Sequence, residues 1–413
     1  MRCAHVFLSL ALVVVWLGSG VGLAASPRAA GDSMVQVVGM DRVSQVQSVM
    51  GSAADPEAAG HWVLVGPPEF TPGIVEEISL ALDGQGTPYL AYSRQEAGSV
   101  MRFDGSTWVP VGSPDFAVGY PFPSFPLALD GQGMSYVAFR DGAYRATVMR
   151  FDGSAWAPVG APGFSAGEIG YMDLALDSQG TPTVAYMDGA NGYRATAMRF
   201  DGSAWVPVGT PGFSAGEAWY LNLALDGQGL PYVAYQDQGN VSRVTVMHFD
   251  GSAWAPVGVP GFSDGEVAFT DLVLDGQGAP YVAYHDVAYD RKATVMRYDG
   301  SAWVPVGTPG FSAGEAGDVN LELDGQDTPY VAYADWGNGG RATVMRFEGS
   351  TWVPVGMPGF SPFEEDDVSL ALDGQGMPYL AYADRFQSYK ASVMRWLPGR
   401  AYLPLVIRSA TSP

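Results

Sequence analysis

The chain has 413 residues, which suits two or three compact domains or one repetitive domain rather than a single ordinary core. Its 54 glycines and 30 prolines exclude a helix bundle, and a content of 47% apolar and 12% aromatic residues excludes a disordered acidic tail. With 43 acidic against 21 basic residues the net charge is −22, a field that repels phosphate backbones and anionic lipid heads, so no nucleic-acid partner is expected.

From the N-terminus, residues 1–25 read as an export signal: Arg2, an apolar run from Val6 to Leu17, then the small residues Gly22, Ala24 and Ala25. That run is too short to span a bilayer. Cys3 is the only cysteine and precedes the run, so a secreted, extracellular chain free of thiols and disulfides is expected, without a transmembrane segment in its mature form. Residues 26–60, rich in Ser, Gly, Ala and Val, read as a flexible linker.

Beyond them a unit repeats. Trp62, Trp108, Trp156, Trp205, Trp254, Trp303 and Trp352 follow one another at intervals of 46, 48 and then 49 residues. One copy shows four short strands: Asn222 to Leu225, Tyr232 to Tyr235, Val244 to Phe249 and Trp254 to Val257. Turns separate them: Asp226-Gly227-Gln228-Gly229 and Asp250-Gly251-Ser252 offer an Asp to cap backbone N–H groups and glycines for positive φ. Tyr232-Val233-Ala234-Tyr235 is apolar on both faces, so its sheet must be covered on both sides.

Four antiparallel strands in about 49 residues, repeated, predict an all-β seven-bladed β-propeller over residues 61–396, followed by a C-terminal tail, residues 397–413. The first three strands occur seven times and the fourth follows only six of them, while Trp62-Val63-Leu64-Val65-Gly66 matches the fourth without a preceding blade. This N-terminal outer strand is expected to complete blade seven and close the ring. The alternative closing strand, Tyr402 to Ile407, is interrupted by Pro404. The apolar part of the tail is expected to pack on the propeller or to serve as a sorting signal.

Leu223 to Asp237, followed by a strand ending F-D-G, resembles the NHL-type propeller repeat, and the D-x-x-G turn resembles sialidase Asp-boxes. The whole unit, with A-T-V-M-[RK]-[FY]-[DN]-G-[ST]-x-W and G-F-S-x-G-x-A, resembles a group of secreted bacterial repeat propellers across residues 62 to 396. The resemblance implies the fold and no single activity; NHL-like propellers are mainly interaction platforms.

Propeller topology puts the D-G-Q-G and F-D-G-S turns on one face, and the two-to-three loops with the blade-to-blade connections on the other. The second set is more variable and richer in charge, so binding is expected there. Candidate ligand residues on that face are Glu168, Glu217, Glu266 and Glu315, the aromatics Tyr171, Trp219 and Phe269 with Tyr220, the aspartates Asp188, Asp237 and Asp286, and the basic residues Arg194 and Arg243. Carboxylate, guanidinium and aromatic face together suit a sugar, whose hydroxyls need acceptors and donors while its C–H face stacks on a ring. In residue types the set is similar to that of fucose-specific propeller lectins. The competing reading pairs each Asp with its Arg across the hairpin, worth about 0–1 kcal/mol if exposed.

The tryptophans are read as blade-to-blade packing, and the recurrent Arg of M-R-F, replaced once by His248, as pairing with a neighbouring blade's acid. The D-x-x-G turns are read as capped turns rather than calcium ligands, and His61, His248 and His285 lack the spacing of a zinc or copper centre. Enzymes need a singular constellation. The repeats depart from their consensus at Glu76, Glu77, Arg94, Glu322, Asp366 and Asp367, and none of these forms a recognised nucleophile and base. The function expected is a monomeric, non-catalytic binding or scaffold module without cofactor or metal, taking an extracellular protein or a carbohydrate. Its alternatives are a multivalent propeller lectin and a carbohydrate-active hydrolase or lyase acting through a carboxylate pair.

Overall fold

The computed structural model describes residues 60–399, apart from 95, 120, 122, 363 and 385–388. The expected export signal, nearly all of the linker and most of the tail lie outside the described residues. Seven sheets follow one another along the chain, each built on an antiparallel run of four strands, with a short fifth, Ala117–Val118, added in blade one, so the fold is a seven-bladed β-propeller. Blade four shows the plan: an inner strand Ala218–Leu225, then Pro231–Asp237, Arg243–Phe249 and the outer strand Trp254–Pro256.

Blade seven closes the ring with the N-terminal strand. His61–Leu64 pairs antiparallel with Ala391–Leu397, Trp62 opposite Trp396 and Leu64 opposite Met394. The register reproduces that of the other outer strands, because the same W-V-x-V pattern meets the same M-R-x partner.

Second strands are buried along nearly their whole length, and Pro182–Asp188 and Pro329–Asp335 along all of it. Each lies mid-sheet with a neighbouring blade on either face, and Tyr186, Tyr235, Tyr284 and Tyr333 fill the gaps between blades. Tyr136, Ala138 and Val148 of blade two form one core with Met172, Leu174 and Val184 of blade three, so the cores are interblade layers. Burying each large side chain is worth roughly 1.5–3 kcal/mol.

Outer tryptophans stitch the layers. The Trp205 indole donates to the Val159 carbonyl at 2.7 Å and stacks on Phe164 at 4.3 Å between ring centroids; both partners belong to the segment arriving from the preceding blade. The arrangement recurs around the ring and includes the closing strand, where Trp62 donates to the Val355 carbonyl at 2.8 Å and stacks on Phe360 at 4.2 Å. The blade-to-blade role expected for these tryptophans is therefore the observed one.

Turn chemistry follows the sequence. Asp226 accepts from the Gln228 and Leu230 amides at 2.8 and 2.9 Å, and Gly229 takes φ +76°. Asp250 accepts from the Ser252 amide and hydroxyl and the Ala253 amide, which holds its carboxyl down to about 2.

Two details differ from expectation. Inner strands begin about four residues earlier than the Asn222 to Leu225 reading, because a β-bulge between Trp219 and Asn222 lets pairing resume on its far side. Where the recurrent Arg bridges, it reaches an acid of its own blade, not a neighbour's: Arg199 reaches the D-x-x-G aspartate Asp177 at 2.5 Å, Arg297 reaches Asp275 at 3.3 Å, and Arg346 pairs with Glu348. His248 lies 3.8 Å from the equivalent Asp226 and stacks on Tyr232, so it keeps the contact with a shorter side chain. In blade two the inner strand shrinks to Leu127–Leu129, since Pro123 and Pro126 remove the amides that pairing needs.

Candidate functional site

The variable-loop face is anchored from beneath. Asp188 ends the second strand of blade three and caps the following 3₁₀ turn by accepting from Ala190 N, while its other oxygen accepts from Asn191 Nδ2 and Thr196 Oγ1, both at 2.8 Å. Thr196 Oγ1 in turn accepts from Gly212 N in the connection to the next blade, at 2.9 Å. Asp237, Thr245 and Gly261 repeat the relay in blade four. Blade five has Tyr289 where blades three, four and six have Asn; Asp286 there keeps its bond to Ala288 N, and burial pushes its carboxyl up. These three aspartates are buried under the loops they fix. Arg194 and Arg243 sit opposite Asp188 and Asp237 in backbone register, yet they are exposed and no ion pair joins them among the described residues. The expected Asp–Arg pairing is thus absent there, because the inward carboxylates are taken by the loop amides and threonines.

Above this layer, aromatic groups meet carboxylates. Trp219 Nε1 donates to Glu217 Oε2 at 3.0 Å, the Tyr193 hydroxyl donates to Glu168, and the Tyr289 hydroxyl donates to Asp264 at 2.5 Å. Glu315 lies 3.5 Å from Arg291, and Glu266 is exposed while its carbonyl accepts from Val287 N. Of the exposed large apolar side chains among the described residues, all except Leu64 and Val206 stand on this face or in the connections that form it.

At its centre the channel opens. A cavity of about 450 Å³ is lined by the first halves of the inner strands, and no lysine, arginine or histidine is among its lining residues. One position of the repeat supplies the rim: Glu77, Ser124, Tyr171, Tyr220, Phe269, Asp318 and Asp367, blade by blade. Tyr220, Phe269 and Asp318 take φ +48°, +51° and +45° at the bulge, a turn of the backbone that re-aims the side chain. Blades three, four and five thus carry an aromatic arc, with Tyr171 4.9 Å from Tyr220 and Tyr220 5.3 Å from Phe269 between centroids. Blades six, seven and one carry an acidic arc.

The acids are tied into the wall. Asp367 Oδ2 accepts from Ile78 N and Asp318 Oδ2 from Val368 N, both at 2.6 Å, each bond crossing to the next blade. One level lower, Asp173 accepts from Leu223 N and Asp271 from Leu321 N. Burial outweighs these bonds. It pushes Asp173 up to about 6 and Asp271 to about 7; burial and the charge of Asp271 push Glu322, on the strand below the rim, to about 8. Glu77 and Asp367 are raised well above the carboxylate range by burial and by the charge of Asp318. Burial, Tyr220 and the charge on Glu77 raise the Tyr171 phenol, so the two arcs sense each other across the opening.

Of the residues singled out from sequence, Tyr171 and Phe269 come together at the rim, and Trp219 lies 6.2 Å from Tyr171. Glu168, Glu217, Glu266 and Glu315 are spread over separate blades of the face. Asp318, Ser124, Asp173 and Asp271 were not anticipated. The available signal was the repeat column that contains Glu77 and Asp367, read at the same offset in every copy.

No protein-family model matches the chain, and no curated protein matches it. Solved structures do. A fungal alcohol oxidase of the AA5 family in complex with copper aligns with TM-score 0.56 and 14% identity, over 82% of this chain and 76% of its own. YCF48 bound to D1 peptide aligns with TM-score 0.53 and 12% identity, over 85% and 99%. The six-bladed fucose-recognising lectin of Aleuria aurantia aligns with TM-score 0.48 and 16% identity, over 72% and 99%. At these identities the likeness is one of fold.

Proposed function

We propose that the chain is a secreted, non-catalytic binding module whose variable-loop face is the contact surface, and that its ligand there is a saccharide. One observation carries the reading: in three successive blades an aromatic group on this face is hydrogen-bonded to a carboxylate, as Tyr193 with Glu168, Trp219 with Glu217 and Tyr289 with Asp264. Each pair offers a ring for the C–H face of a sugar and an oriented acceptor for its hydroxyls. The loops bearing them are fixed by the buried aspartates, so little ordering entropy is spent on binding. Several such seats on one rigid ring would act together, and avidity would exceed the affinity of any one by orders of magnitude.

A glycan array followed by calorimetry tests this. Retention on a defined glycan is expected, with stoichiometry falling when Glu217→Gln and Trp219→Ala are combined, and attachment lost when all three pairs are removed while the melting temperature holds. A parent chain that binds no glycan, or a three-pair variant that binds undiminished, overturns the saccharide reading and turns the same face over to a protein partner.

A further inference from the structure

We propose that the channel mouth is a separate seat for an alkylammonium group, held between the aromatic arc of Tyr171, Tyr220 and Phe269 and the acidic arc of Glu77, Asp318 and Asp367. This seat does not depend on the saccharide reading of the surrounding loops. The arcs belong to opposite blades of one opening, so a cation between them meets ring faces on one side and carboxylates on the other. Ring quadrupoles and carboxylates both attract positive charge, and an aromatic wall also accommodates the methylene or methyl groups beside it.

Three acids converge on an opening with no basic lining residue. Glu77 is half-buried at the rim, and no side-chain hydrogen bond reaches it among the described residues. A metal ion fits poorly. Among the described residues no three acid, histidine or cysteine side chains come close enough to hold one, and half of the rim offers carbon instead of oxygen. The cavity of about 450 Å³ has the size of a small-molecule site.

Without a cation, burial and then the charge of Asp318 keep Glu77 and Asp367 protonated well above the usual carboxylate range, with Glu76 adding to the shift of Glu77 and Glu77 to that of Asp367. A docked ammonium would favour the ionised acids, so its uptake releases protons into the buffer.

Calorimetry on the whole chain tests this with choline, n-butylammonium and 3,3-dimethylbutan-1-ol, the last being choline with its charged nitrogen replaced by carbon. The expected result is saturable binding of at least one cation, at least about tenfold weaker binding of the alcohol, and a heat that changes with buffer ionisation enthalpy as protons leave. Choline against n-butylammonium tells a methylated from a primary ammonium. Asp367→Asn, which keeps an oxygen for the Ile78 amide, and Tyr220→Leu should each weaken the cation about tenfold or more, while any saccharide binding stays intact. Equal binding of alcohol and cation, no saturable binding of either cation, or proton uptake in place of release overturns the proposal, and none of these needs a variant to fold.

Discussion

Glu322 stands where five of the other blades have alanine and blade five has Val273, and it burdens the fold in a pH-dependent way. Burial and the charge on Asp271 push its carboxyl from the usual 4.5 to about 8. The unfolded chain releases this proton near pH 4.5, whereas the folded chain keeps it until about pH 8. Stability therefore falls as pH rises between those values and is level on either side. At about 1.4 kcal/mol for each pH unit the full cost above pH 8 is about 4–5 kcal/mol, and solvent screening of this half-buried side chain reduces it to about 2–3 kcal/mol. The Glu322→Ala substitution removes the cost and restores the residue that five blades carry at this position. Urea unfolding at pH 4.5, 6, 7.5 and 8.5 should show almost no gain at the lowest pH and about 2–3 kcal/mol at the highest. The slope becomes shallower without vanishing, since Asp173 and Asp271, at about 6 and about 7, still titrate. A gain independent of pH, or a loss at pH 8.5, would refute the reasoning.

Deleting Gly60 to Gly66 removes the closing strand, with the Trp62 bond to Val355 and its stack on Phe360, and leaves Ala391–Leu397 as an unpaired edge. Gel filtration should show self-association and the melting temperature should drop; a monomer of unchanged melting temperature would contradict closure by this strand. Replacing His248 with Arg restores the bridge that Arg199 and Arg297 make, and should add about 0.5–1 kcal/mol at pH 8. Burial lowers the His248 imidazole below its usual 6.5, so the parent loses stability as pH falls through that value and the advantage of Arg grows at pH 5. An advantage that shrinks between pH 8 and 5 in urea titrations would count against this account.

The sequence alone determined the blade, the number of blades and the closure, because each rests on short-range pattern. Alternating turns such as Asp226-Gly227-Gln228-Gly229 place the strand ends, both-sided burial of Tyr232 to Tyr235 requires neighbours on each face, and the unpartnered Trp62 strand can only complete the last sheet. Some contacts were legible by the same logic, such as the tryptophans, whose fixed register means one fixed environment.

Tertiary structure decided everything that depends on where a side chain points once the ring is closed. Asp188 and Arg194 look like an ion pair in the sequence, yet the strand end turns the carboxylate inward to Ala190, Asn191 and Thr196 and leaves the guanidinium outside. The channel mouth was out of reach for a related reason. Glu77, Tyr220 and Asp367 are far apart along the chain, and they meet only because the inner strands, five of them bulged, each bring one residue to an axis that exists when all the blades surround it. Local preference fixes a strand and its turns; convergence of distant residues on one axis is a property of the closed ring.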